Sequence, residues 1–221
     1  MKMKPFLLAF TIVSLAIGFN SCKKAAETKD EMEATFELSG DQAIADNLTE
    51  DANDLFMQVA VENNVAGNNF GPDPTPTNDF IPCATVTITP GGFPKTIVID
   101  FGTSCTFNGV TRSGKINIVL TDSVRRTGSQ AVMTFDNYYV NLFKVGGTYT
   151  WTNTSSVDTR SWSRKTKNKK ITSPTGRYWL HNRLRFVTQT AGVRTYTIVD
   201  DVYSITGTHT VSNAAGQSRD I

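Results

Sequence analysis

The sequence predicts a mainly β protein: an antiparallel meander or sandwich-like β domain, preceded by one amphipathic helix and a flexible tether. Three observations lead there. Charge divides the chain, with 13 acidic and 3 basic residues from Cys22 to Pro82, then 7 acidic and 17 basic from Cys83 to Ile221. A composition change of that size marks a boundary. The second part carries 25 threonines in 139 residues and no helical period. Its apolar residues alternate with polar ones in short runs separated by turn residues, as in strands with one buried face.

The first element is an address. Lys2 and Lys4 head a run of 15 uncharged residues from Pro5 to Phe19. As a helix that run rises about 22 Å, short of a hydrocarbon core of about 30 Å. Residues 1–21 therefore fit a signal peptide better than a membrane span. The stretch "LAIGFNSCKK" resembles the lipobox of bacterial lipoproteins, with Ser21 as the small residue before Cys22. Phe19 and Asn20 depart from its commonest residues, and the ending "SCKK" is similar to lipoproteins of the Bacteroidota. The resemblance implies cleavage before Cys22 and acylation of that cysteine. Several acyl chains hold a membrane firmly where one does not. The expected location is the outer membrane, lipid-anchored, at the periplasmic face or cell surface. Lys29-Asp30-Glu31 resembles a lysine-plus-acidic signal for surface display, set further from Cys22 than usual.

Residues 22–38 have little to bury and read as the tether. Residues 39–82 read as an acidic helix and a Pro/Asn/Gly linker. Ile44, Leu48, Ala52, Leu55 and Val59 share one face at helical spacing, so a helix is expected over roughly Gln42 to Asn63. Ser39 or Asp41 is the expected cap. Docking of the apolar stripe on the following domain is the expected role.

Residues 83–221 form the expected β domain. "ATVTIT" aligns Ala84, Val86 and Ile88; "KTIVIDF" aligns Ile97, Ile99 and Phe101; "GKINIVL" aligns Ile116, Ile118 and Leu120. "GTYTWTNT" sets Tyr149 and Trp151 against threonines, and "RYWLHNRLRFV" sets Tyr178, Leu180, Leu184 and Phe186 opposite Trp179, His181, Arg183 and Arg185. Turns such as "TPGGFP", "RRTGSQ" and "KVGG" separate the runs. With Cys22 acylated, Cys83 and Cys105 remain as a pair in an oxidising compartment and read as a disulfide. The loop of 21 intervening residues makes closure worth about 3 kcal/mol. A metal site on these cysteines is the lesser alternative, since no CxxC or nearby histidine completes a ligand set.

The stretches "FPKTIVIDFGTSCT", "MTFDNYYVN" and "DDVYSITGT" resemble a family of uncharacterised Bacteroidota lipoproteins with a long antiparallel β domain. The resemblance covers roughly Cys83 to Thr208, its motifs are structural, and such proteins carry cysteines where Cys83 and Cys105 fall. It implies no activity. Such relatives continue for several more strands, so the domain is expected to be C-terminally truncated, with an unpaired edge near "HTVSNAAG".

Motifs for chemistry are sparse. The sequence has two histidines, His181 and His209, and lacks a GxSxG elbow, an HExxH pair or a Gly-rich phosphate loop. No catalytic residue, cofactor or metal site is expected, and both histidines read as packed or surface side chains. Asp100, Asp136, Asp200 and Asp201 are the β-domain carboxylates considered for glycoside hydrolysis. Asp200 and Asp201 are adjacent and would point to opposite faces of a regular strand. Asp100 and Asp136 would meet only on neighbouring strands. The basic loop "RSWSRKTKNKK" offers Arg160, Trp162, Arg164, Lys165, Lys167, Lys169 and Lys170 as a candidate anionic-polymer site, with Arg183 and Arg185 extending it. Its bland counterpart is a basic surface offsetting the acidic helix. Anionic polysaccharide or another envelope glycan is the expected partner class, beside the membrane through the anchor; nucleic acid is not expected. Asp122-Ser123-Val124 resembles a Bacteroidota O-glycosylation signal, with Ser123 as acceptor. The favoured function is a non-catalytic binding or structural β domain on a lipid anchor. The alternative is a surface glycan-directed hydrolase or carbohydrate-binding accessory module.

Overall fold

In a computed structural model, the structure describes residues 29–67, 81–193, 195 and 199–220. The signal peptide, Cys22 and most of the expected linker lie outside the described residues. Among the described residues one long helix, α1 (Lys29–Glu62), precedes ten strands. These are β1 (Thr85–Ile88), β2 (Lys95–Asp100), β3 (Cys105–Phe107), β4 (Val110–Leu120), β5 (Gln130–Val140), β6 (Phe143–Asn153), β7 (Ser161–Thr172), β8 (Tyr178–Ala191), β9 (Val202–Asn213) and β10 (Ser218–Asp220).

All ten belong to one antiparallel sheet, in the order β1-β2-β4-β5-β6-β7-β8-β9-β10. β3 pairs with the start of β4 on the side where β2 pairs with its end. A Cys83–Cys105 disulfide ties the segment before β1 to β3. From β4 to β9 each strand pairs with the next along the chain, as short turns between long strands dictate.

The sheet bends around the helix along a row of irregularities. Register shifts fall between Ser113 and Lys115, Thr134 and Tyr138, Gly146 and Thr148, and Thr166 and Lys169. These lie on successive neighbouring strands, and bulges so aligned curve a sheet. Gly114 (φ 78°) and Gly147 (φ 97°) sit on this row. A Cβ on Gly114 would lie 2.1 Å from the Asn137 carbonyl oxygen, and one on Gly147 2.4 Å from that of Asn168.

Helix and sheet share one core. From the concave face come Ile97, Ile99, Ile116, Ile118, Met133, Tyr138, Tyr149, Trp151, Ile171 and Trp179. Helix α1 contributes Leu48, Ala52, Leu55, Phe56 and Val59, the larger of which stabilise the fold by about 1.5–3 kcal/mol each. The Phe56 and Trp151 ring centroids are 6.2 Å apart. No helix among the described residues is long and apolar enough to cross a membrane.

The helix differs from expectation at its start. It begins at Lys29, inside the stretch read as tether, and neither Ser39 nor Asp41 caps it. Asp41 lies mid-helix, almost fully buried, and accepts hydrogen bonds from both terminal nitrogens of Arg177 (2.7 and 2.5 Å). The sheet extends the helix by giving these residues partners, which local propensity does not reveal. The C-terminal edge also differs. Thr210 to Ser212 pair with β10, and it is the stretch from Val202 to Thr208 that has no strand on its outer side among the described residues.

The clash at Gly114 makes a testable difference. Gly114→Ala should cost more than ~2 kcal/mol in urea unfolding. Gly128, also at positive φ but with open space around it, should cost only about 1–2 kcal/mol when replaced by alanine.

Candidate functional site

The basic stretch is a strand, not a loop, and strand alternation splits it between two faces. Arg164, Thr166, Lys169 and Ile171 point to the helix; Lys165, Lys167 and Lys170 point outward and are exposed. Two-residue periodicity forces this division, with the bulge after Thr166 shifting its phase. Trp162 packs on the inner side, its ring 5.6 Å from that of Tyr203. Arg160 precedes β7 and is exposed.

The inner face is an ion-pair seam between helix and sheet. Arg112 of β4 donates to both oxygens of Asp51, and the Tyr138 hydroxyl donates to Asp51 Oδ2 (3.3 Å). Arg164 of β7 and Arg185 of β8 both donate to Glu50. Arg183 Nη1 donates to Asp46 Oδ1 (2.6 Å), and Arg177 also pairs with Glu37 (2.9 Å). Lys169 is buried, donating to Thr49 Oγ1 and the Ala45 carbonyl. Burial pulls its ammonium down to about 7, although Asp46, Glu50 and Asp51 oppose the shift. Arg183 and Arg185 therefore lie on the face opposite Lys165, Lys167 and Lys170 and do not extend the outer patch. In β8 the polar-looking set Trp179, His181, Arg183 faces inward, and Leu180 and Phe186 are the exposed side chains.

Within this seam Asp46, His181 and His209 converge. Their ligand-type atoms all lie within 4.8 Å of one another. His181 Nε2 is 3.5 Å from Asp46 Oδ1, and the two imidazole centroids are 4.5 Å apart, edge to face. His181 is fully buried, and neither ring nitrogen has a hydrogen-bond partner; His209 Nε2 also lacks one. Burial lowers the pKa of both rings, favouring neutral imidazoles. For Asp46, burial acts to raise the pKa but is outweighed by His181, His209 and Arg185, which hold the carboxyl below its usual range.

The sequence reading missed this cluster. His181 and His209 lie on adjacent strands, where Arg183 faces His209 and His181 stands two residues along. That diagonal was derivable only with the hairpin register in hand. Asp46 comes from a helix far away in sequence, and nothing local links it to either histidine.

The carboxylates considered for hydrolysis are not neighbours. Asp100 and Asp136 flank Lys115 of β4 from either side, so their strands are about 10 Å apart. Lys115 Nζ lies 2.8 Å from Asp100 Oδ2; its hydrogen bond, with one from the Gly102 amide, lowers the Asp100 pKa. Asp201 accepts from Gln189 and Tyr203, and Asp200 from Thr195. Trp151 and Trp179 are buried in the core. Ser123 is half-buried in the β4–β5 turn, where the segment leaving α1 packs beside it: the Val65 and Ala66 carbonyls accept from the Val124 and Arg125 amides.

Comparison of the chain with protein-family models, with curated proteins and with solved structures returns no match.

The seam can be tested at its most enclosed pair. Asp51→Ala leaves Arg112 and the Tyr138 hydroxyl buried without their acceptor, and should destabilise the protein by about 3 kcal/mol in denaturant unfolding. Adding Arg112→Met should recover much of that loss, since the unpaired charge is then gone.

Proposed function

We propose that this chain is a lipid-anchored cell-envelope protein whose β domain is a non-catalytic binding module, receiving anionic polysaccharide on the outer face of its sheet. The carrying observation is the split of β7. Its inward cations Arg164 and Lys169 are engaged by the helix, whereas Lys165 and Lys167 have no carboxylate within 4.0 Å among the described residues. Lys170 sits over the Tyr178 ring, 3.9 Å from its centroid. On β8, Leu184 lies opposite Lys165 and Leu180 opposite Lys170, and Phe186 is exposed on the same face. A row of solvated ammonium groups beside exposed ring and aliphatic surface suits a polymer of acidic sugars: carboxylates meet the lysines and sugar faces meet Phe186 or Tyr178. Such binding is weakened by salt.

The ion pair of Asp100 with Lys115, which lowers the Asp100 pKa where a general acid needs it raised, favours the non-catalytic form of this reading. Anchoring rests on the lipobox-like residues up to Cys22.

Two measurements test the two halves. Titration of the full chain with polygalacturonate should show binding that weakens between low and high salt and is absent with neutral dextran. Replacing Lys165, Lys167 and Lys170 together by alanine should reduce affinity at least ~10-fold with an unchanged circular dichroism spectrum. Equal binding of dextran, or full affinity in the triple variant, ends the polysaccharide reading. For the anchor, Cys22→Ala should move the protein from the membrane to the soluble fraction and abolish palmitate labelling.

A further inference from the structure

We propose that Asp46, His181 and His209 form a binding site for a zinc-class divalent ion that clamps helix α1 to strands β8 and β9. Two imidazoles and one carboxylate are a ligand set that Zn²⁺ and its first-row neighbours accept, with a fourth position left for water. Tetrahedral donors about 2.1 Å from an ion stand about 3.4 Å from one another. His181 Nε2 and Asp46 Oδ1 are 3.5 Å apart, and the whole set lies within 4.8 Å. Closing on an ion therefore needs side-chain adjustment and no change of strand register.

The unpartnered ring nitrogens point to a missing partner. A buried nitrogen without one costs about 1–3 kcal/mol. His181 carries two such atoms at zero exposure and His209 a third; Arg183 Nη2 and Arg164 Nε in the same seam are also unpartnered, but as donors they offer no lone pair to a cation, whereas an imidazole does. A cation accepting one imidazole lone pair from each ring removes that cost at two of the three atoms and explains why two imidazoles meet under an acidic helix. The Asp46 side chain is 28% exposed, so the cluster has an approach from solvent.

Charge selects the ion class. Arg183 donates to the same Asp46 oxygen, and Arg185 and Lys169 are close by, with Glu50 and Asp51 opposing them. Mg²⁺ and Ca²⁺ depend on several hard oxygen ligands, which one carboxylate in this setting does not supply. Ions that bond strongly to imidazole gain from the two histidines directly. Binding requires Arg183 to yield part of its hold on Asp46, and Glu50 Oε1, 3.7 Å from Arg183 Nη1, is placed to receive it.

The test titrates the full chain, purified in detergent and stripped with chelator, with Zn²⁺ by calorimetry and with Co²⁺ by visible absorption. One equivalent of Zn²⁺ is expected, with tetrahedral Co²⁺ bands and a raised thermal midpoint. At free Zn²⁺ a hundred times Kd the folding constant should rise ~100-fold, with Mg²⁺ and Ca²⁺ without effect. His181→Ala opens a fully buried site, so the informative variants are Asp46→Asn and His209→Gln at its margin. Each should keep the native circular dichroism spectrum and lose the Co²⁺ bands and the thermal shift. No uptake by the folded chain, or undiminished uptake in both variants, overturns the assignment.

Discussion

A single curved sheet with one apolar face has to cover that face, and among the described residues no second sheet does so. Helix α1 is the other half of the core. Its Leu48, Leu55, Phe56 and Val59 meet side chains from strands that are far apart in the sheet order, so the hydrophobic stabilisation of helix and sheet is one quantity. The row of bulges from Ser113 to Lys169 serves the same end, because a flat sheet would touch a cylinder along one line only. The glycines at Gly114 and Gly147 follow from that bend: backbone of the neighbouring strand occupies the space a side chain would need.

Superposed on the apolar contact is a seam of opposite charge. Glu37, Asp41, Asp46, Glu50 and Asp51 on the helix meet Arg177, Arg183, Arg185, Arg164 and Arg112 on the sheet. Partly buried ion pairs add little net stability, because desolvation offsets most of the attraction. They are costly to mismatch, however. A one-turn slide of α1 would leave several of these charges without partners, whereas a leucine stripe alone would tolerate it. The pairs thus set the position of the helix, and apolar burial supplies most of the energy.

This division also sorts the basic residues into two chemical roles. Inward ones are engaged by the helix and belong to the fold, including Lys169, whose burial lowers its pKa to about 7. Outward ones remain solvated and available to a partner. A composition-based estimate of a basic patch counts both kinds together and overstates the free charge of this face. The same inward alternation that brings Arg183 under the helix brings His181 beside Asp46, so the histidine cluster is a product of the register that makes the seam.

Much of this was legible in the sequence, for a local reason. Period-two alternation is a property of a few consecutive residues, so Ile97 with Ile99, Ile116 with Ile118, and Tyr149 with Trp151 were each placed on one shared face, and each of those faces is buried. The acidic helix and the β class were likewise readable from spacing and composition, and the Cys83–Cys105 pair from the cysteine count. What tertiary structure decided is which face of each strand turns inward and who meets whom across the chain. In β8 alternation alone left open which set is buried. Only the acidic helix lying over it makes Arg183 and His181 inner residues and leaves Leu180 and Phe186 outside. The helix start at Lys29 and the meeting of Asp46 with His181 and His209 have the same origin: electrostatic and packing partners more than a hundred residues away, which no local pattern encodes.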